Sequence, residues 1–300
     1  MYKVKVLLAS YNGEKYILQQ VESILKQQDV IVDVSISDDA SIDKTISILK
    51  EYFSFLKINV NIPGTGSAAN NFVRMILNLD FRENFDYVSF ADQDDVWLPD
   101  KLCKAIELLK KESADLYCSN LTKWDTSNNS YSELKKNFPQ KKFDYLFEGG
   151  SAGCTYVFTQ KFARELQNFF YIVDSSDWPH FSHDWLIYFF ARSRDFKVVI
   201  DGQSYIHYRI HEHNVHGHLN KISWNTIKEK SSQVFDGYYQ NHIRNFIKYL
   251  NKDSEEYTIY KKFLRGYFAR NFMILKYNTQ LMRDKKKFLI FMVLNLLKIR

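Results

Sequence analysis

Short apolar runs alternate with amphipathic stretches over the first 120 residues of the chain. The apolar runs predict strands at residues 3–10, 30–37, 57–62, 86–91 and 115–120. The stretches between them carry apolar side chains at helical spacing, which predicts helices at 14–27, 44–55, 68–79 and 99–111. Strands that alternate with helices in this way indicate βαβ units, so we predict an α/β fold with a mostly parallel sheet flanked by helices.

The pattern changes beyond residue 120. The predictions there are a polar loop at 123–142, a strand-like segment at 149–159, a helix at 183–194 and two short strands within 198–209. From about residue 223 the spacing is helical to the end of the chain. We therefore divide the chain into a domain at 1–218 and a helical C-terminal region at 219–300.

Charge is distributed unevenly between these two parts. Residues 219–300 carry 17 Lys and Arg against 6 Asp and Glu, whereas residues 1–218 carry 24 against 29. The two parts are therefore expected to face different partners. No nucleic-acid recognition motif accompanies the basic region, so nucleic acid is not an expected partner.

The cysteines and the N-terminus bear on the cellular compartment. Cys103, Cys118 and Cys154 match no zinc or redox spacing and are expected to be buried free thiols in a reducing environment. The chain begins Met-Tyr-Lys and leads directly into a predicted strand, so no signal peptide is apparent. No uncharged apolar run reaches the ~18 residues that span a bilayer. These observations predict a cytoplasmic protein.

Three polar turns follow predicted strands. They are Ser10-Tyr11-Asn12, Asp38-Asp39 and Asp92-Gln93-Asp94-Asp95. In parallel sheets, ligands bind at the carboxyl ends of the strands. We therefore expect the three turns to meet in one site.

The acidic turn at residues 92–95 has two interpretations. Neighbouring carboxylates repel one another unless a cation or hydrogen-bond donors compensate, and Mg²⁺ or Mn²⁺ there would bridge the phosphates of a nucleotide diphosphate. Alternatively, the turn is a solvated helix cap. The turn at Asp38-Asp39 also has two interpretations. Either a carboxylate there accepts a hydrogen bond from the imide N–H of a pyrimidine base, or the turn caps the next helix.

Two later segments contain candidate acid–base and ligand groups. Asp184, at the start of a predicted helix, is either a general base for an acceptor hydroxyl or a carboxylate that satisfies the helix dipole. His211 and His213 alternate along the chain, so only one of them easily reaches a metal or a phosphate. A structural role is the alternative for a histidine in this segment.

The order of these motifs resembles the family 2 glycosyltransferases, specifically their bacterial rhamnosyltransferase-like members. The matching blocks are 8–14 (LASYNGE), 37–45 (SDDASIDKT), 70–72 (NNF), 90–97 (FADQDDVW), 183–185 (HDW) and 208–217 (YRxHxxNVxG). Two positions depart from the family pattern, because Leu186 stands where members often carry a second Trp and Ile210 stands where many have Gln. Both departures concern the expected acceptor contacts more than catalysis.

The resemblance implies a GT-A fold, with donor and acceptor sites on one Rossmann-like sheet, and an inverting single displacement. It implies a nucleotide-diphosphate sugar as donor, dTDP-rhamnose favoured over a UDP-sugar, and Mg²⁺ or Mn²⁺ as cofactor. Carried over by position, Asp184 is the general base, and Asp94 and His211 are the metal ligands. The implied donor contacts are Ser10, Tyr11, Asn12, Glu14, Asp38, Asp39, Asn71, Asp92, Gln93 and Arg209, and the implied acceptor contacts are Trp97, His183 and Trp185.

We therefore expect an inverting glycosyltransferase that moves a sugar, rhamnose favoured, to a glycan acceptor in cell-surface polysaccharide synthesis. A non-catalytic nucleotide-sugar or glycan-binding module on the same fold is the alternative. A nucleotidyltransferase would share the fold and the acidic site. It would also show a Gly-rich basic loop after the first strand, which residues 10–14 lack.

The C-terminal region contains a candidate membrane segment. Residues 283–297 combine a basic cluster with an apolar run too short to span a bilayer. This pattern suits a helix that lies on anionic lipid, and the alternative is a helix docked on the core. Family acceptors are often lipid-linked glycans, which favours the membrane interpretation and a location at the inner face of the cell membrane.

Overall fold

The computed structural model describes residues 1–210, 231 and 234–299. Its strands are β1 (Tyr2–Ser10), β2 (Val30–Asp38), β3 (Lys57–Val60), β4 (Tyr87–Asp92), β5 (Val96–Trp97), β6 (Leu116–Ser119), β7 (Leu121–Asp125), β8 (Ser130–Leu134), β9 (Val157–Thr159), β10 (Val198–Asp201) and β11 (Ile206–Ile210). Its helices are α1 (Ile17–Leu25), α2 (Thr45–Tyr52), α3 (Ala68–Leu77), α4 (Lys101–Glu112), α5 (Gln160–Phe170), α6 (His183–Ser193), α7 (Tyr238–Phe246), α8 (Glu255–Leu264), α9 (Tyr267–Tyr277) and α10 (Lys285–Leu297).

The described residues divide into two compact units. The first consists of residues 1–137, 150–173 and 190–210, and the second of 138–149, 174–189, 231 and 234–299. The second unit therefore includes two segments that we placed in the N-terminal domain. The predicted boundary at residue 218 lies outside the described residues.

The first unit contains a seven-stranded sheet in the order β10-β6-β9-β4-β1-β2-β3. β1 pairs in parallel with β2 on one side and with β4 on the other. β9 runs antiparallel to β4 and β6, whereas β2 with β3 and β6 with β10 are parallel pairs. The predicted α/β fold with a mostly parallel sheet is confirmed.

Apolar side chains hold β1 in the interior of this sheet. Val4, Val6 and Leu8 are fully buried and belong to one hydrophobic cluster with Val21 and Ile24 of α1. Valine favours the extended strand because its branched side chain fits a pleated surface. Burying one such side chain stabilises the fold by about 1.5–3 kcal/mol. The cluster therefore fixes where β1 ends, and with it the position of the turn that follows.

The prediction of a loop at residues 123–142 is wrong for its first part. Residues 121–134 contain an antiparallel hairpin of β7 and β8, within a four-stranded sheet ordered β5-β11-β7-β8. Trp124 pairs with Tyr131 across the hairpin, and their rings stack with centroids 6.1 Å apart. Asn129 adopts a φ of 52° in the turn, a conformation that asparagine tolerates. Cross-strand aromatic pairs stabilise strands whose hydrophobic alternation is weak.

The second unit packs its helices around aromatic side chains. Phe147 contacts Tyr260, Phe263 and Phe291 with ring centroids 6.0, 5.5 and 5.6 Å away. The predicted helical C-terminal region is confirmed by α7 to α10. Within the part of the chain that the structure describes, no helix is long and apolar enough to cross a membrane.

A buried cation joins the start of α10 to the segment at 138–149. Arg283 donates to Glu148 Oε1 through its backbone N–H at 2.6 Å and through Nε at 3.0 Å. The same Nε lies 3.6 Å from Asp144 Oδ2, and both side chains are almost completely buried. Because buried ions have lost their hydration, each depends on the charge of the other.

We expect Arg283→Met to lower the free energy of unfolding by about 3–5 kcal/mol, because it leaves buried carboxylates without their cation. Urea denaturation followed by circular dichroism measures this loss. Arg82→Met is the matched control, since Arg82 pairs with Asp80 at an exposed site and its loss should leave stability nearly unchanged. Equal losses in the two variants would contradict the role assigned to the buried pair.

Candidate functional site

The three predicted turns meet at one edge of the sheet. Ser10 at the end of β1 is the register partner of Asp38 at the end of β2. Ala9 is the partner of Asp92 at the end of β4. Parallel pairing therefore brings the carboxyl ends of three strands together, as the sequence predicts.

Asp38 is a fully buried carboxylate that organises the turn after β2. It accepts hydrogen bonds from Ser10 Oγ at 2.8 Å, from Ser41 N at 2.8 Å and from Ser41 Oγ at 2.6 Å. A buried carboxylate requires such donors, because an unpaired one would retain the full cost of its lost hydration. Ser10 and Asp38 therefore shape the edge of the site, and their predicted donor contacts stay predictions.

Asp39 is held by the loop that follows β3. Its carboxylate accepts from Thr65 N at 2.6 Å, from Thr65 Oγ1 at 3.0 Å and from Gly66 N at 3.0 Å. Asn61 Nδ2 is a fourth donor, at 3.2 Å. These four donors match the four lone-pair directions of a carboxylate, so a base imide would have to replace one of them.

Asn71, in α3, is buried beneath the same turn. Its Oδ1 accepts from Ser37 Oγ at 2.6 Å and from Asn61 Nδ2 at 3.2 Å, and its own Nδ2 donates to Ser37 O at 2.8 Å. Asn71 thus supports Asp39 through the Asn61 amide that both share. Its predicted contact with the donor stays a prediction.

Gln93 binds the loop that follows β1 through two side-chain hydrogen bonds. Its Oε1 accepts from Tyr11 N at 2.8 Å, and its Nε2 donates to Tyr11 O at 2.9 Å. Asn12 Oδ1 and Glu14 Oε2 accept backbone N–H groups from the turn before α2, both at 2.9 Å. Tyr11 is 55% exposed. Of these predicted donor contacts, Tyr11 therefore offers an accessible surface on which a flat ring can stack.

The three aspartates of the acidic turn differ in their surroundings. Asp92 and Asp94 are half-buried, whereas Asp95 is buried and neither of its carboxylate oxygens makes a hydrogen bond of ordinary geometry with the described residues. Burial and the charges of Asp94 and Asp92 raise the pKa of Asp95 well above its ordinary value. α4 begins after Asp100, so the alternative of a solvated helix cap does not apply to Asp95.

Among the described residues, Asp92, Asp95 and Cys154 form a group that could hold an ion, with ligand atoms within 4.8 Å of one another. Mg²⁺ and Mn²⁺ prefer carboxylate oxygens. The thiol suits them less, because burial and the charges of Asp95 and Asp92 raise the pKa of Cys154 well above its ordinary value. The carboxylates of the turn therefore fit a hard divalent cation. Asp94 stays a predicted ligand, and His211 lies outside the described residues.

Lys101 and Cys154 lie near the acidic turn, and neither was predicted to be part of the site. Cys154 is a buried free thiol, as predicted. Lys101 is buried, with Nζ 3.2 Å from Ser89 Oγ and 3.7 Å from the centre of the Trp97 ring. Burial lowers the pKa of Lys101 to about 7, against the opposing charges of Cys154 and Asp95. Lys101 could have been noticed in the sequence, because it occupies a position of α4 where the helical pattern expects an apolar residue. Cys154 is far from the acidic turn in the sequence, and no pattern indicated that it lies near the site.

Arg209 connects the acidic turn to the four-stranded sheet. Its guanidinium lies 4.8 Å from the Tyr16 ring centre and 4.4 Å from that of Trp124. Nε donates to the backbone oxygen of Asp94 at 2.9 Å, and Nη2 donates to Gln19 Oε1 at 2.5 Å. Burial lowers the pKa of Arg209 from its ordinary value. Arg209 therefore positions the backbone at Asp94, and its predicted donor contact stays a prediction.

Asp184 lies in the second unit, in the first turn of α6. It accepts hydrogen bonds from Ser182 Oγ and from Trp185 N, the latter at 2.7 Å. A carboxylate at a helix N-terminus is stabilised by the helix dipole, which is one of the two predicted roles. The other role, that of general base, stays a prediction.

The predicted acceptor contacts differ in exposure. Trp185 is buried, donates through Nε1 to Tyr145 O at 2.8 Å, and stacks on His242 with centroids 4.7 Å apart. Trp97, in the first unit, is equally buried, and His183 is half-buried. An acceptor could reach either tryptophan ring only after that ring became exposed. All three contacts stay predictions.

We expect Asp39→Asn to loosen the loop at Thr65 and Gly66. The amide offers one accepting oxygen in place of two, and hydrogen bonds to a charged acceptor are about twice as strong as neutral ones. Hydrogen exchange at the N–H groups of Thr65 and Gly66 should accelerate about tenfold or more. Asp29→Asn, at an exposed position, is the control. Unchanged exchange in Asp39→Asn would show that the carboxylate does not hold the loop.

Comparison with known proteins bears on what this site binds. Residues 5–167 match the family model described as Glycosyl transferase family 2. The chain is 33% identical over 294 residues to dTDP-rhamnosyl transferase RfbG of Shigella flexneri, covering 97% of this chain and 99% of the relative. It is 27% identical over 160 residues, 52% of this chain and 59% of the relative, to UDP-Glc:alpha-D-GlcNAc-diphosphoundecaprenol beta-1,3-glucosyltransferase WfgD of Escherichia coli.

Two solved structures share the fold. TarS 1–349 of S. aureus in complex with UDP-GlcNAc matches with a TM-score of 0.54 at 14% identity, over 98% of this chain and 90% of that chain. The mannosyltransferase PcManGT of Pyrobaculum calidifontis, in complex with GDP-Man and Mn²⁺, matches with a TM-score of 0.54 at 12% identity, over 92% and 73%. These likenesses show the GT-A fold. The family match over more than half of the chain, together with the match to RfbG, shows that the chain belongs to glycosyl transferase family 2.

Proposed function

We propose that this glycosyltransferase moves rhamnose from dTDP-rhamnose to a glycan acceptor, with inversion at the anomeric carbon. The observation that carries the proposal is the exposed Tyr11, whose backbone is held by Gln93 of the acidic turn, at the sheet edge where the half-buried Asp92 ends its strand. An exposed ring and carboxylates at one edge of the sheet suit a flat base joined to a metal-bound diphosphate. The match to a dTDP-rhamnosyl transferase at 33% identity supports this donor, and a UDP-sugar is the alternative.

We propose that the turn at Asp39 selects the base. Thymine and uracil present an imide N–H between two carbonyl groups, and a carboxylate accepts from such a donor. The hydroxyl of Thr65 now donates to Asp39 at 3.0 Å. Rotation of that hydroxyl withdraws one donor while the backbone N–H groups of Thr65 and Gly66 stay in place. A base imide then takes the vacated position without unfolding of the loop.

We propose Mg²⁺ or Mn²⁺ as cofactor, with Asp94 and His211 as its ligands, as the family resemblance implies. Asp92, which belongs to the group that could hold an ion, is a further candidate ligand. When bound, the ion supplies positive charge to the diphosphate leaving group. Arg209 holds the Asp94 carbonyl, and Gln93 holds the neighbouring loop at Tyr11. These contacts fix the turn before the donor arrives, so little reorganisation is needed during transfer. The Mn²⁺ bound in the PcManGT complex supports this cofactor.

We propose that Asp184 is the general base. Its carboxylate takes the proton of an acceptor hydroxyl, whose oxygen forms a bond to the anomeric carbon. The bond from that carbon to the diphosphate oxygen breaks, and the diphosphate leaves with the electron pair. Ser182 Oγ and Trp185 N orient the carboxylate. A single displacement of this kind inverts the anomeric configuration and requires no enzyme nucleophile.

We propose that the acceptor is a lipid-linked glycan and that the enzyme acts at the inner face of the cell membrane. The name of the WfgD relative gives a sugar on diphosphoundecaprenol as that enzyme's acceptor. The basic residues of the C-terminal region suit a surface of anionic lipid. An enzyme that uses such an acceptor must meet it at the bilayer surface.

We expect Asp184→Asn to reduce the transfer rate by about 10²–10⁴-fold, because an amide cannot accept the acceptor proton. Affinity for dTDP-rhamnose should stay within about twofold, because the proposed donor contacts belong to other residues. Release of dTDP in the presence of acceptor measures the rate, and calorimetry measures the affinity. Asp177→Asn, at an exposed position of the preceding segment, is the control. Full activity in Asp184→Asn would refute the assignment of the base.

A further inference from the structure

Helix α9 presents an apolar stripe to the solvent. Phe268, Phe272 and Leu275 are all exposed, and Phe268 is 86% exposed. Their spacing of four and three residues places them on one face of the helix. Scattered exposed apolar residues are common on protein surfaces, but three aligned along one helix form a continuous patch.

Helix α10 presents a second stripe. Leu289, Val293, Leu296 and Leu297 are exposed, and Leu297 is 63% exposed. They again follow one another at helical spacing, and Lys285 extends the same face by one turn. The buried residues of α10, including Phe291, occupy the opposite side. The helix is therefore docked on its own unit and leaves an apolar face outward, and its contact with a membrane stays a prediction.

The two stripes belong to one surface. Tyr267 Oη donates to Leu296 O at 3.0 Å, and Asn271 Nδ2 donates to Asn295 O at 3.3 Å. The start of α9 thus contacts the end of α10, and the helices run antiparallel. At 100° per residue, the centre of each exposed stripe lies roughly 90–150° around its helix axis from the residues that contact the other helix, in the direction in which the chain winds. The two helices run in opposite directions, so along one common viewing axis the chain winds clockwise in one helix and anticlockwise in the other. Both exposed stripes therefore face the same side of the helix pair.

Cationic side chains border this surface. Arg265 and Lys276 flank the stripe of α9, and Lys285 and Lys286 stand at the head of α10, all exposed. Residues 254–299 contain ten Lys and Arg against three Asp and Glu. Apolar side chains among cations match the two layers of an anionic membrane surface, which offers acyl chains below and phosphate groups above.

We propose that α9 and α10 together form a docking surface for an anionic lipid membrane, with both helices lying in the interface. The inference rests on the proposed function, because a lipid-linked acceptor requires the enzyme to work at a bilayer. A second copy of the chain is a poorer occupant, since pairing two such surfaces would oppose like charges. Binding through α9 also distinguishes this surface from the single helix at 283–297 that the sequence predicts.

Flotation of the full chain with vesicles tests the surface. Vesicles of phosphatidylglycerol and phosphatidylcholine should bind the protein, and phosphatidylcholine alone should bind it weakly. Phe268→Gln with Phe272→Gln, and separately Leu289→Gln with Val293→Gln, should each lower the vesicle-bound to free ratio by about tenfold or more. Ile42→Gln with Phe55→Gln removes two equally exposed apolar residues of the first unit and should leave binding within about twofold.

Each outcome decides between explanations. If the variant with Phe268→Gln and Phe272→Gln binds vesicles as strongly as the parent protein, the proposal that both helices form the surface is wrong. If the parent protein binds neutral and anionic vesicles equally, the proposed preference for anionic lipid is wrong. If sedimentation shows a dimer that the variants lose, the surface binds a second copy of the chain and not a membrane. Circular dichroism and stabilisation by dTDP show that the variants are folded. Vesicle binding without transfer from any nucleotide sugar would refute the proposed function but support the membrane surface. Transfer to a soluble acceptor without vesicle binding would support the proposed function but refute the membrane surface.

Discussion

Parallel hydrogen bonding of β1 with β2 and β4 is the interaction on which the site depends. It aligns Ser10 with Asp38 and Ala9 with Asp92, so that turns far apart in sequence end at one edge. The buried side chains of β1 keep this register, because a slip of one residue would turn them to the opposite face. The hydrophobic core thereby determines where the carboxylates of the site stand.

Most polar side chains at this edge hold one another, and few face the solvent. Asp38 accepts three hydrogen bonds and Asp39 accepts four from neighbouring segments, and Gln93 forms two hydrogen bonds with the Tyr11 backbone. Each such bond contributes only about 1 kcal/mol, with more for a charged partner. Together they fix the loops around the Tyr11 ring and the acidic turn. A site that is preorganised in this way binds a ligand without the free-energy cost of first ordering its own loops.

Hydrophobic periodicity predicted the central strands and helices, because it reports burial directly. The β7–β8 hairpin escaped prediction, since the cross-strand contact of Trp124 with Tyr131 stabilises it more than alternation does. The second unit includes two segments that lie outside the predicted C-terminal region, because the bonds between Arg283 and Glu148 join segments that no local pattern connects. Strand ends predicted the place of the site. They did not predict that Asp95 is buried beside a distant cysteine, because that depends on tertiary packing.

The central claim is that the acidic turn at this sheet edge binds a nucleotide diphosphate through a divalent cation. Calorimetric titration of dTDP into the protein, with Mn²⁺ and then with a chelator, tests it most directly. The account predicts binding in Mn²⁺ that weakens by about tenfold or more in chelator, because the diphosphate charge is no longer neutralised. Asp94→Ala should weaken binding in Mn²⁺ to a similar extent. Equal affinity with and without Mn²⁺, or with and without the Asp94 carboxylate, would contradict the claim.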